Sequence, residues 1–126
     1  MNVLLDTCAL LALARGDLPG RAAAVLRSAP EANVSVVSPW EVALKVAARK
    51  LRLREPPLQW FLGLSERYEL RELPLDVHVA CAAARLPLIH RDPFDRVLVA
   101  LAQAQALTVL TSDENIGKYP GVKTLW

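Results

Sequence analysis

The sequence predicts an α/β fold built on a parallel sheet. Short β-rich segments alternate along the chain with helical segments, and such an alternation implies parallel strands joined by right-handed crossovers. Residues 94–104 are apolar on nearly every face, which is typical of a helix buried on all sides. With 53% apolar and 22% charged residues, the composition is that of one globular domain spanning residues 1–126.

The first half of the chain is expected to contain two strands and three helices. The strands are predicted at residues 2–5 and 33–37, and the helices at residues 8–14, 17–29 and 38–49. The third helix begins with Ser38-Pro39-Trp40-Glu41, which fits a capping box with Ser38 as the N-cap and proline in the first helical position. Glu41 and Lys45 are one helical turn apart and can pair.

The second half is expected to contain three longer helices and three short strands. Helices are predicted at residues 58–68, 76–86 and within 90–106, a single helical turn at 114–118, and strands at 70–73, 107–110 and 122–125. Trp60, Phe61 and Leu64 mark an apolar face of the first of these helices that is expected in the core or on a dimer or partner surface. In the second, the residues expected to face inward are Val77, Ala80, Cys81 and Ala84.

Two aspartates stand at the start of the buried helix. Asp92 fits an N-cap with Pro93 in the first helical position, and acidic side chains suit the positive end of a helix dipole. Asp92 and Arg96 are also one turn apart and can pair. For Asp92 and Asp95 taken alone, helix capping and catalysis therefore remain open alternatives.

Acidic residues from four separate segments are predicted to meet at one edge of the sheet. Asp6 directly follows the first predicted strand and Asp113 comes three residues after the strand at 107–110, whereas Glu41 and Asp95 lie in the first turns of predicted helices. In a parallel α/β sheet the functional crevice lies beyond the carboxyl ends of the strands, near a switch in strand order. Capping can explain Glu41, but it does not explain Asp6 or Asp113.

A cluster of carboxylates at this edge favours bound divalent cations. Converging carboxylates repel one another unless cations neutralise them, and oxygen ligands suit Mg²⁺ or Mn²⁺. Two such ions about 3.5–4 Å apart can promote cleavage of a phosphodiester. With the four acids neutralised, nine acidic residues would remain against 15 basic ones, which suits a polyanionic substrate. The strip Arg49, Lys50, Arg52 and Arg54 is either a solvated helix end or a nucleic-acid contact.

Other classes of site are disfavoured by the composition. Cys8 and Cys81 lie in apolar helical contexts, so buried reduced thiols are favoured over a disulfide. The chain has no Cys/His cluster of the kind that binds structural zinc. The longest apolar runs are short of a membrane span and no basic leader precedes an apolar core, so a cytoplasmic protein without membrane contact is expected.

Four segments of the chain resemble a known family. They are LLDTCALLAL at residues 4–13, SVVSPWEVALK at 35–45, HRDPFDRVLVALAQA at 90–104 and LTVLTSDENIGKYPGVKTLW at 107–126. In this order they are similar to the PIN-domain family and, within it, to the VapC-type toxins of toxin–antitoxin pairs. The resemblance implies a three-layer α/β/α sandwich with a parallel sheet of four to five strands. It also implies a Mg²⁺- or Mn²⁺-dependent endoribonuclease that cleaves RNA, forms a homodimer and is inhibited by a cognate antitoxin.

The resemblance also assigns residues to the site. The four acids of the family fall on Asp6, Glu41, Asp95 and Asp113 as metal ligands, and Asp92 is an extra acid that would line the site. The choice between Asp92 and Asp95 as the third ligand stays open. Thr7 would orient a ligand or water. Arg91 and Arg96, which flank the aspartates, are expected with Thr7 to contact the substrate.

Two rival functions are weighed against this one. A haloacid-dehalogenase-like phosphatase also begins with a strand ending in aspartate, but it needs a second aspartate two residues later, where this chain has Cys8. A catalytically idle PIN fold that serves only as a binding protein is the other alternative. The complete set of acids argues against it, although intact acids do not by themselves establish turnover.

Overall fold

The computed structural model describes residues 1–126 as one five-stranded sheet covered by helices on both faces. The strands are β1 (Val3–Leu5), β2 (Ala32–Ser35), β3 (Leu70–Leu73), β4 (Thr108–Leu110) and β5 (Lys123–Leu125). The helices are α1 (Thr7–Arg15), α2 (Gly20–Ser28), α3 (Val37–Ala47), α4 (Pro57–Tyr68), α5 (Val77–Arg85) and α6 (Pro93–Gln105), with a 3₁₀ turn at Ile116–Lys118. All strand pairs are parallel, so the predicted α/β/α sandwich is confirmed.

The strand order places a switch point beside β1. The order across the sheet is β3-β2-β1-β4-β5, so the chain builds outward from β1 on one side and then returns to build on the other. Leu5 of β1 pairs with Val34 of β2 and with Leu110 of β4. The residues that follow Leu5 and Leu110 therefore emerge side by side at the carboxyl edge of the sheet, where ligands bind in such folds.

Two hydrophobic clusters hold the layers together. Val3 and Leu5 of β1 pack with α1 and α4 on one face, whereas Leu4 packs with α3 and α6 on the other. Successive side chains of a strand point to opposite faces, and a strand covered on both faces is apolar throughout. Helix α6 is the most buried helix, with every residue from Arg96 to Ala102 in the interior. None of the helices is long and apolar enough to cross a membrane.

The start of α3 differs from the predicted capping box. The helix begins at Val37, and the Val37 N–H donates to the hydroxyl of Ser35 (3.2 Å). Ser38 is therefore already inside the helix, and its buried hydroxyl has no hydrogen-bond partner. The prediction was wrong because β2 ends two residues earlier than its β-branched residues suggest. As a result Glu41 lies beyond the first turn and does not cap the helix.

Helix α4 agrees with one of its predicted alternatives, whereas α5 does not match its predicted inner face. Phe61 and Leu64 of α4 are buried in the cluster against β1 and Trp60 packs on that cluster, so the core alternative is confirmed for this face. In α5, Val77, Ala80, Cys81 and Ala84 are exposed, whereas Val79 and Ala83 face inward. A short helix that packs mainly on α6 needs only a narrow apolar stripe, and an alanine-rich sequence does not mark which stripe is used.

The two cysteines are free, as expected, but they are not buried. Cys8 and Cys81 are both exposed and form no disulfide. Cys8 lies at the second position of α1, where the helix leaves the sheet edge, and its thiol approaches the Ser112 hydroxyl at 3.4 Å. The prediction that both thiols are buried, which was based on their apolar helical neighbours, was therefore wrong.

Candidate metal and active site

The acids predicted from the sequence meet in one cleft at the switch point. Asp6 follows β1, and its backbone N–H donates to the carbonyl of Leu110, the last residue of β4. The cleft has a volume of about 380 Å³. The residues lining it include Asp6, Thr7, Glu41, Asp92, Asp95 and Asp113, together with Cys8, Leu11, Arg15, Lys45 and Ser112. Four segments that are distant in sequence are thereby brought together by the sheet topology.

Asp6 is the most buried of these acids. Its carboxylate caps α1 by accepting the Ala9 N–H (2.7 Å), so the prediction that capping does not explain Asp6 was wrong. Residue 6 directly follows β1 and is also the residue before α1, and it is 4% exposed. Burial is the main cause that raises the pKa of Asp6 above its usual value, and the nearby Asp113 and Glu41 carboxylates raise it further. Hydrogen bonds from the Thr111 hydroxyl and the Ala9 N–H act in the opposite direction. A nearby cation would therefore stabilise the charged form of Asp6.

Thr7 and Lys45 fix the position of Glu41. The Thr7 hydroxyl donates to Glu41 Oε1 at 2.6 Å, and Lys45 Nζ lies 3.4 Å from Glu41 Oε2. The predicted pairing of Glu41 with Lys45 is thus confirmed. The contact with Thr7 joins α3 to α1 across the cleft mouth. Each oxygen of Glu41 therefore has a defined partner, and the carboxylate is held at the edge of the cleft.

Asp92 and Asp95 have different surroundings at the start of α6. Asp92 is the N-cap, since its Oδ1 accepts the Phe94 N–H at 2.9 Å, as the sequence predicted. Asp95 lies in the first turn and its side chain is 17% exposed. Burial, followed by repulsion from Asp92, raises the pKa of Asp95 to about 7, and Asp6 and Asp113 contribute to the same shift. The charges of Asp6, which follows β1, and of Asp113, which follows β4, therefore act on Asp95.

Asp113 is oriented by its own turn and contacts a histidine. Its Oδ1 accepts the Asn115 N–H (2.8 Å), and its own N–H donates to the Thr111 hydroxyl (2.9 Å). His90 Nε2 lies 3.1 Å from Asp113 Oδ2 and 3.2 Å from Asp95 Oδ2. The sequence placed His90 beside the acids but gave it no role. No helical or strand spacing connects it to Asp113, 23 residues away.

Arg96 is held by backbone carbonyls at the end of α5. Its guanidinium donates to the carbonyls of Ala83 (2.8 Å), Leu86 (2.9 Å) and Pro87 (2.9 Å). The predicted pair with Asp92 is absent because Asp92 caps its own helix, while the end of α5 leaves carbonyls without helical partners. Arg96 is 9% exposed, and its guanidinium is occupied by these carbonyls. Arg91, by contrast, is exposed and directly precedes Asp92, which lines the cleft.

The donor set of the cleft suits a hard divalent cation. Asp6, Glu41, Asp95 and Asp113 supply carboxylate oxygens, which are the ligands that Mg²⁺ and Mn²⁺ prefer. The raised pKa values of Asp6 and Asp95 show that burial and mutual repulsion disfavour their charged forms. A cation among these oxygens would reverse both effects. The residues present therefore fit such an ion.

The fold and the cleft together define a class of protein: a parallel α/β/α domain with a carboxylate cluster of the metal-binding kind at its switch point. The profile of the PIN domain matches residues 3–122, and the chain belongs to the PIN-domain family. The resemblance found in the sequence is thus confirmed at the level of the family. A search of curated protein sequences gives no significant match.

Solved structures of similar fold come from several organisms. A VapBC2 structure from Rickettsia felis, bound to a promoter DNA fragment, is similar with a TM-score of 0.72 and 13% identity, covering 99% of this chain and 98% of that one. FitAcB from Neisseria gonorrhoeae has a TM-score of 0.67 and 24% identity, with coverages of 100% and 97%. A toxin–antitoxin complex from Klebsiella pneumoniae has a TM-score of 0.65 and 20% identity, with coverages of 95% and 94%. At these identities the likeness concerns the fold.

Proposed function

We propose that this chain is a Mg²⁺- or Mn²⁺-dependent endoribonuclease and the toxin component of a toxin–antitoxin pair, with residues 1–126 acting as one PIN domain. The observation that carries the proposal is the convergence of Asp6, Glu41, Asp95 and Asp113 on one cleft in a chain of this family. Structural elements account for the position of each acid, but no structural need explains four of them in one cleft. Their mutual repulsion costs stability, which indicates that their role is functional.

The residues of the cleft have distinct roles in the proposed reaction. Asp6, Glu41, Asp95 and Asp113 would hold the metal, and Asp92 lines the same cleft. Bound divalent cations supply water activation and stabilisation of the leaving oxygen in phosphodiester cleavage. Thr7 orients Glu41 through its hydroxyl. Lys45 and Arg15 line the cleft and the exposed Arg91 precedes its Asp92, so we assign these three side chains to phosphates near the cut, whereas Arg96 is engaged with carbonyls.

A basic groove next to the cleft supports a polynucleotide substrate. Leu11 and Arg15 line the acidic cleft and also a groove of about 880 Å³ that continues from it. Four arginines line this groove, namely Arg15, Arg52, Arg54 and Arg67, against two acids, Asp17 and Glu55. Arg52 and Arg54 belong to the basic strip noted in the sequence. We therefore place the phosphates that flank the cut along this groove, away from the scissile phosphate itself.

The substrate class is tested by comparing three substrates with the same protein. A labelled single-stranded RNA, a DNA of the same sequence and p-nitrophenyl phosphate are incubated with wild type and Asp6→Asn in Mg²⁺. We expect internal cleavage of the RNA by the wild type alone. Turnover of the phosphomonoester without RNA cleavage would instead favour the phosphatase alternative. RNA or partner binding without cleavage of either polynucleotide would favour the idle binding protein.

The proposed partners are an antitoxin protein and a second copy of the chain. The toxin–antitoxin complex from Klebsiella pneumoniae has a similar fold, which supports an antitoxin partner here. Because RNA is the proposed substrate, we also propose that the protein acts in the cytoplasm. The test is to add the purified product of the adjacent reading frame to the cleavage reaction, where we expect inhibition at a defined stoichiometry. Sedimentation velocity of the chain alone tests the homodimer.

A further inference from the structure

His90 contacts the acid cluster through a single ring nitrogen. Nε2 lies within hydrogen-bond distance of Asp113 Oδ2 (3.1 Å) and Asp95 Oδ2 (3.2 Å). The other ring nitrogen, Nδ1, accepts the Asp92 backbone N–H at 3.1 Å. The imidazole therefore bridges two carboxylates that come from different elements, one at the start of α6 and one after β4.

The contact at Nδ1 determines which nitrogen carries the proton. A nitrogen that accepts an N–H has no proton of its own, so Nδ1 is bare and Nε2 carries the hydrogen. Nε2 is thus a donor to Asp113 Oδ2, and Asp95 Oδ2 lies 3.2 Å from the same nitrogen. A metal ligand at Nε2 would need the hydrogen on Nδ1, where it would meet the Asp92 N–H. Although the ligand atoms of His90, Asp95 and Asp113 lie within 4.8 Å of one another, His90 is not oriented to bind a metal with them.

The position of His90 is built by the interior of the protein. Its backbone N–H donates to the Tyr119 hydroxyl at 2.8 Å, and its carbonyl accepts from Arg96 at 3.3 Å. Tyr119 and Arg96 are 2% and 9% exposed. Because both anchoring side chains are held by the core, the imidazole is directed at the acids by the fold and does not reach them as a mobile surface side chain.

We propose that His90 is a positioning residue that competes with the metal ion for Asp95 and Asp113. Its Nε2–H donates to Asp113 Oδ2 and lies against Asp95 Oδ2 (N···O 3.2 Å), and these are the oxygens that a cation shared by the two residues would take. Metal binding would then displace the contacts of His90 with these oxygens. His90 therefore lowers the affinity for metal, and it keeps the two acids in place when no metal is bound. The inference rests on the proposed metal site.

The first test observes the two imidazoles directly. The chain has only two histidines, and His78 is exposed on α5 and serves as the internal control. Long-range ¹H–¹⁵N spectra of EDTA-treated protein should show the Nε2–H form for His90. At constant pH, Mg²⁺ should shift the ring signals of His90 and leave those of His78 unchanged. A His90 ring protonated at Nδ1, or His90 signals that ignore bound Mg²⁺, would overturn the proposal.

The second test measures Mg²⁺ affinity by calorimetry without RNA. We expect His90→Ala to bind Mg²⁺ about tenfold more tightly than wild type, the effect of losing roughly one charge-assisted hydrogen bond that opposes binding. His90→Gln, whose amide N–H can reach the same oxygens, should remain near wild type, as should His78→Ala. If the wild type binds Mg²⁺ and His90→Ala binds it no more tightly, the competition by His90 is refuted while the metal site itself stands. Absence of Mg²⁺ binding in every variant refutes the metal site and this inference together.

Discussion

Asp95 has its carboxylate in a position that favours the protonated form. Its pKa is raised from 3.8 to about 7, mainly by burial. Between these values the folded protein holds a proton that the unfolded chain has lost, so without metal the free energy of unfolding falls as pH rises through this window. The shift is worth about 4 kcal/mol at most, and less where water screens the group.

Asp95→Asn should remove this pH dependence. In EDTA we expect the variant to be more stable than wild type at pH 7.5, with the difference shrinking toward pH 4.5. Urea denaturation of both proteins at these two values measures it. Mg²⁺ should raise the stability of wild type but not that of the variant. A variant that is destabilised at pH 7.5, or that keeps the wild-type pH profile, would contradict the electrostatic account of the cleft.

Arg96 gives a second prediction at this scale. Arg96→Ala leaves the carbonyls of Ala83, Leu86 and Pro87 without their donor, and we expect a loss of roughly 3 kcal/mol in the free energy of unfolding. Arg91→Ala, which removes an exposed arginine from the same segment, should change stability by less than about 0.5 kcal/mol. Normal stability of Arg96→Ala combined with lost RNA cleavage would return Arg96 to the substrate-binding role predicted from the sequence.

The sequence identified the acids of the site better than their neighbours. Asp6 and Asp113 were predictable because each lies within three residues of the end of an apolar strand, and strand ends are local features. The roles of His90 and Arg96 depend on contacts with Asp113 and with the end of α5, which only the folded chain brings near. Residue spacing reports which side chains share one helix face, but it does not report which carbonyls or acids will lie opposite.

The elements were predicted well where their signals are local. The strand β3 matches its predicted bounds, and α6 begins at Pro93 after an Asp92 cap, as expected. The start of α3 was missed because two serines three residues apart, Ser35 and Ser38, can each provide a hydroxyl near a helix start. The inner face of α5 was missed because alanines occur on several of its faces, so the sequence does not mark one face as apolar.

The segment that follows α3 carries a prediction about RNA binding. Arg52 and Arg54 line the groove that adjoins the acidic cleft. Replacing both with Ala should weaken RNA binding and reduce the slope of log affinity against log salt by about 0.7 for each lost phosphate contact. The matched control, Arg21→Ala with Arg27→Ala on α2, removes the same charge from exposed positions outside the groove. If the double variant Arg52→Ala, Arg54→Ala keeps the wild-type slope, these arginines do not contact RNA and the strip is a solvated helix end.

The architecture of the whole molecule could be predicted from the alternation of its elements. Parallel strands with helical crossovers have few arrangements, and all of them place strand ends at one edge. The strand order itself is a long-range property, and it determines that Asp6 and Asp113 become neighbours beside β1. A different order would have kept the same acids at the same edge but separated them by further strands, without a shared cleft.

The most direct test of the proposed metal-dependent ribonuclease activity is RNA cleavage by one preparation as metal is removed and restored. We predict no cleavage in EDTA and full recovery with Mg²⁺ or Mn²⁺. Folded Asp6→Asn and Asp95→Asn should be at least about a hundredfold slower, since even the outer partners of metal ligands contribute 10–100-fold. Glu72→Gln, which removes an exposed acid from β3, should remain at the wild-type rate. Cleavage that persists in EDTA, or an Asp95→Asn protein as active as Glu72→Gln, would contradict the account.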